Sequence, residues 1–150
     1  MNPAARGASV VALAVTLAGN PAQGDEFDSG EFVVHYTALA TMQLAPKVAE
    51  AYGIVRSPHR GLLNVAVLRA QAGTPGIPVA AAVTVFAVNS EGLLKPITMR
   101  RIDEPPSVYS IGELTVAEAE AEVVRFEITV TPHGASAPIR LRLQHQFFAR

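Results

Sequence analysis

"IRLRLQHQFF" (Ile139–Phe148) alternates between two kinds of side chain. Ile139, Leu141, Leu143, His145 and Phe147 fall on one side, while Arg140, Arg142, Gln144 and Gln146 fall on the other. A repeat of two is the signature of a strand, because successive side chains point to opposite faces. "VVRFEITV" (Val123–Val130) repeats the pattern, with Val124, Phe126, Ile128 and Val130 inward and Arg125, Glu127 and Thr129 outward. One face of each strand is built for a core and the other for water. His145 is the exception, a polar ring on the apolar side, which places it near a sheet edge or in a buried hydrogen bond.

Working outward from this pair, the same period recurs. "EFVVHYTAL" (Glu31–Leu39) sets Phe32, Val34 and Tyr36 against Val33, His35 and Thr37. "LLNVAVLR" (Leu62–Arg69) and "VAAAVTVFAVN" (Val79–Asn89) are apolar and β-branched, and "KPITMRRI" (Lys95–Ile102) and "SVYSIGEL" (Ser107–Leu114) are shorter. Turn chemistries separate them: Gly73-Thr74-Pro75-Gly76, Asn89-Ser90-Glu91-Gly92, Asp103-Glu104-Pro105-Pro106 and Pro132-His133-Gly134. About seven strands at near-regular spacing predict an all-β fold, an antiparallel two-sheet sandwich of immunoglobulin or fibronectin-III type. One short helix is expected near residues 45–52, in "APKVAEAYG", with Pro46 in its first turn and Gly53 capping its end. The Ala/Glu patch Thr115–Glu122 reads as a solvated connection, too short to be an independent helix.

The N-terminus reads as a secretory signal. Arg6 precedes an apolar run, "GASVVALAVTLA" (Gly7–Ala18), and Ala22 and Gly24 occupy the small-residue positions of a cleavage site. The run is too short to span a bilayer. Residues 1–24 are thus expected to be removed, leaving 25–150 as a single domain in the periplasm, with no stable membrane anchor. Loss of Arg6 leaves 11 basic and 13 acidic residues, and no block of either sign marks a nucleic-acid or anionic-membrane surface. The absence of cysteine removes thiol catalysis, disulfides, cysteine metal sites and a lipoprotein anchor.

The search for chemistry yields little. The four histidines, His35, His59, His133 and His145, lack metal-ligand spacing, and no serine lies in a nucleophile elbow. Neither a cofactor, a metal site nor an enzymatic activity is expected. What remains is "YGIVRSPHRGLLNVAVL" (Tyr52–Leu68), where Arg56, His59 and Arg60 crowd one turn and Asn64 stands where a strand favours a β-branched residue. Two guanidinium forks can chelate an anion. Equally, one arginine can hold loop carbonyls while Asn64 satisfies a neighbouring backbone, and the structural reading is the stronger of the two. The candidate binding residues are Arg56, Arg60, Asn64, His35 and Tyr36.

The same region carries a resemblance. His35-Tyr36, Thr41, Leu44, Pro46, Val48-Ala49, Tyr52-Gly53-Ile54, Arg56-Ser57, Gly61 and Asn64 resemble the signature of the domain of unknown function 4426 family, small exported proteins of Gram-negative bacteria. The terminal "LRLQHQFF" is similar to the family's Gln-rich, aromatic last strand, so the resemblance spans the chain beyond the signal. Pro58-His59 and Ala66 depart from the pattern, where Lys-Asn and Ser are expected. The resemblance implies an all-β sandwich in the cell envelope and no assigned activity. Together these readings predict a non-enzymatic module that binds a protein or envelope component, with a small-anion carrier using Arg56, Arg60 and Asn64 as the alternative.

Overall fold

The computed structural model describes residues 25–116 and 121–148, and the expected signal segment, residues 1–24, lies outside the described residues. The described residues form ten strands: β1 (Asp25–Asp28), β2 (Phe32–Ala40), β3 (Arg60–Arg69), β4 (Ile77–Pro78), β5 (Ala81–Val88), β6 (Leu94–Ile97), β7 (Arg100–Glu104), β8 (Ser107–Thr115), β9 (Ala121–Pro132) and β10 (Ile139–Phe148). A 3-10 turn (Thr41–Gln43) and one helix, α1 (Pro46–Ala51), lie between β2 and β3. All strand pairs are antiparallel. Sheet A runs β1-β2-β3-β8-β7, with the short β4 added beside β3, and sheet B runs β10-β9-β5-β6.

The two sheets meet through the alternating residues that the sequence marks as inward. Val34, Leu63, Val65 and Val67 of sheet A pack on Val85, Phe126, Ile128, Val130 and Phe147 of sheet B. Burying side chains of this size stabilises by about 1.5–3 kcal/mol each in gross terms, most of it offset by chain entropy. Gly61 lets the layers approach closely: a Cβ there would stand 2.6 Å from Cε1 of Phe147 and 2.9 Å from Cδ2 of Leu114.

A second apolar cluster lies on the outer face of sheet A. Leu44, Ala49 and Ile54, from the segment joining β2 to β3, cover Leu39, Leu62, Tyr109 and Ile111. Strand β3 is therefore buried on both faces, which explains why Leu62–Leu68 is apolar almost throughout. The covering segment is pinned at its two ends by one side chain. Thr41 Oγ1 accepts from the Ser57 N–H at 2.9 Å and donates to the Ser57 carbonyl at 3.1 Å. Gly53, at φ +65°, turns the chain out of α1, in a region where a side chain would be strained.

The sandwich matches expectation, and the differences have local causes. "KPITMRRI" is two strands: β6 belongs to sheet B and β7 to sheet A, with the chain crossing between layers at Thr98-Met99. Strands β1 and β4 are additional, at four and two residues. The patch Thr115–Glu122 is less solvated than expected, since Val116 and Glu122 are buried. Thr115 ends β8 and Ala121 begins β9, while residues 117–120 lie outside the described residues.

Candidate functional site

The five candidate residues do not come together in one site. Arg56 is exposed on the covering segment, where its Nη2 donates to the Met42 carbonyl at 3.2 Å. Arg60 begins β3 and directs Nη1 toward Glu113 Oε1 of β8, 3.7 Å away on a partly exposed surface. The two guanidinium groups are thus each engaged by a different neighbour, one bracing a loop and the other a strand. Exposed pairs of this kind contribute little to stability.

Asn64 lies beneath the covering segment and is 5% exposed. Its ladder neighbours are Thr37 of β2 and Ile111 of β8. Its Oδ1 is buried and meets no hydrogen-bond donor among the described residues. His35 is half-exposed on the same outer face, with Nδ1 3.7 Å from Glu26 Oε2 of β1. Tyr36 points the opposite way, toward the core. Burial, and then the charge of Asp25, raises its hydroxyl pKa.

Close to Asn64, a polar group not singled out by the sequence pattern surrounds the end of α1. The rings of Tyr52 and Tyr109 meet edge to face with centroids 6.4 Å apart. Arg100 of β7 donates to the Tyr52 carbonyl, tying α1 to sheet A. Burial pushes the Tyr109 hydroxyl pKa strongly upward, reinforced by Tyr52 and Glu104 and opposed by Arg100. Tyr109 is a neutral phenol at any physiological pH.

A concavity lies elsewhere, where the two layers part along β10. It encloses about 480 Å³ between that strand and the start of sheet A, with Leu143, His145, Phe147 and Phe148 on one side and Asp25, Ala38 and Met42 on the other. His145 points into it and stacks edge-on against Phe147, with centroids 4.6 Å apart. Burial lowers the His145 pKa from its usual 6.5. Its position at an edge strand is one of the two places expected for a polar ring on an apolar face. Met42 and Phe148 are large apolar side chains left exposed beside the opening. Only the inward alternation of β10 signals this cleft in the sequence. The residues from β1 and the 3-10 turn that complete it come from distant parts of the chain. Among the described residues, no group of three or more His, Cys, Asp or Glu stands close enough to hold a metal ion.

Comparison with known proteins gives a consistent picture. The family model described as domain of unknown function (DUF4426) matches residues 26–150. A DUF4426 family protein from Pseudomonas aeruginosa PAO1 is similar in structure, with 28% sequence identity over 86% of this chain and 98% of that one, at a TM-score of 0.70. Two structures of FetP from uropathogenic Escherichia coli strain F11 share the fold at 9% identity. One, expressed in the periplasm, has a TM-score of 0.56 over 85% of this chain and 95% of that one. The other, a copper-bound variant, has a TM-score of 0.55 over 85% and 97%. No curated protein matches the sequence.

Proposed function

This chain belongs to the DUF4426 family, and on that premise we propose that it is a non-enzymatic binding module of the Gram-negative envelope, which docks an extended segment of a protein partner along β10. One observation carries the reading. Strand β10 is ten residues long and, among the described residues, pairs only with β9, so within them its other edge offers unpaired backbone groups beside an open apolar cleft. Added-strand recognition uses these two features together, main-chain hydrogen bonds for affinity and pockets for alternate side chains for specificity.

A small-anion carrier is supported less well, because Arg56 and Arg60 are held apart by Met42 and Glu113. The non-enzymatic reading rests on the same dispersal: the candidate polar groups face separate surroundings. Export is supported by the layout of residues 1–24.

The test is site-specific photo-crosslinking in intact cells, with the reactive group placed at Gln144 on β10 or, as a control, at Lys95 on the opposite edge strand β6. A discrete adduct from Gln144 alone, lost on Leu143→Lys, is the expected result. Equal labelling from both edges, or none from β10, overturns the proposal. N-terminal sequencing of the protein from the cell envelope is expected to begin at Asp25, and an intact Met1 would exclude export by a cleaved signal.

A further inference from the structure

The two layers are unequal in width. Sheet A lays β1-β2-β3-β8-β7 side by side, whereas sheet B has only β10-β9-β5-β6. Strand β10 faces β2, and β6 approaches β8, so β1 extends beyond the last strand of sheet B with nothing above it among the described residues. Residues directly opposite in an antiparallel pair share a face. Asp25 and Phe27 are paired with Tyr36 and Val34, which point inward. The Phe27 ring therefore faces the inner side of the sandwich and is still 39% exposed. Strands in a sheet lie about 4.8 Å apart, so the uncovered place beside β10 and above β1 has the width of one strand.

We propose that this place receives a single extended segment of another protein as a fifth strand of sheet B, apolar at alternate positions and acidic at those between. The inference rests on the docking reading above and names the chemistry of the partner. Inward side chains of the added strand meet Phe27 and Leu143, with Asp25 and His145 at one end of the cleft, so most of them are apolar. Outward side chains lie beside Arg140 and Arg142, both exposed, with Arg125 on the next strand. Glu127 is the single carboxylate on the outward face of the β9–β10 pair. Opposite charges on adjacent strands are favourable and like charges are not, so the surface selects carboxylates.

A second copy of this chain does not fit the same place. Pairing β10 with its equivalent would bring the two β2 strands within about one strand spacing of each other. Each copy carries β1 on that side, and the two β1 strands would occupy one position. A lone segment meets no such obstacle.

Two labelled octapeptides separate the possibilities: one alternating valine with glutamate, the other valine with lysine. Binding is followed by fluorescence anisotropy, and the site by hydrogen exchange at β10 amides. The glutamate peptide is expected to bind and to slow exchange along β10. Arg140→Glu with Arg142→Glu, both at exposed positions, is expected to weaken that binding by about tenfold and to favour the lysine peptide, with far-UV circular dichroism checking that the variant is folded. Equal binding of both peptides at β10 would overturn the acidic partner while leaving edge docking intact. Unchanged β10 exchange with either peptide would overturn docking itself. Slowed β10 exchange that depends on protein concentration without peptide would assign the place to a second copy, against the proposal.

Discussion

Gly61 is the residue on which the closeness of the two layers depends. Gly61→Ala places a methyl group against Phe147 and Leu114, and overpacking of this kind costs about 1–3 kcal/mol. A lower urea midpoint is expected, largely restored by adding Phe147→Leu. His145 gives the fold a pH dependence of known sign. Its folded pKa lies below the usual 6.5 because of burial, so the unfolded chain takes up the proton first. The histidine's contribution to stability is complete above that value and is lost as pH falls through the folded pKa. Thermal unfolding followed between about pH 7 and about pH 5 is expected to show this decline, and His145→Phe to flatten it. Asn64 carries an unpaired buried oxygen, whose desolvation costs about 1–3 kcal/mol. Asn64→Leu is therefore expected to raise the melting temperature, which differential scanning calorimetry measures directly.

Among the elements, the segment joining β2 to β3 contributes more to stability than its irregular form suggests. Ile54→Ala removes a buried side chain from the outer cluster and is expected to cost about 2–5 kcal/mol in chemical denaturation. Arg56→Ala, on an exposed loop bond, is expected to stay within about 0.5 kcal/mol. This contrast also shows what the sequence reveals. Alternation made β9 and β10 legible, and Pro46 with Gly53 marked α1, because local rules control both. Leu44 and Ile54 follow no period, so their role as a cover for β3 becomes visible only when sheet A is assembled. "KPITMRRI" shows no break, since its division between two sheets depends on partners elsewhere in the chain. The arginine pair was legible as a cluster in sequence, but Met42 and Glu113, which separate the two groups, lie 14 and 53 positions away from Arg56 and Arg60 respectively. The cleft was the least legible feature, because it arises from the unequal widths of two sheets.

At the scale of the whole molecule, the described residues contain both apolar clusters. A chain ending at Pro138 lacks β10, and with it Leu141 and Phe147 of the inter-sheet core. It is expected to lose cooperative unfolding and to bind a hydrophobic dye. The strand with the free edge is thereby also the strand that closes the inter-sheet core, since Phe147 fills the gap above Gly61. Whatever pairs along β10 would therefore also hold shut the seam between the two layers, and would register as added resistance to unfolding.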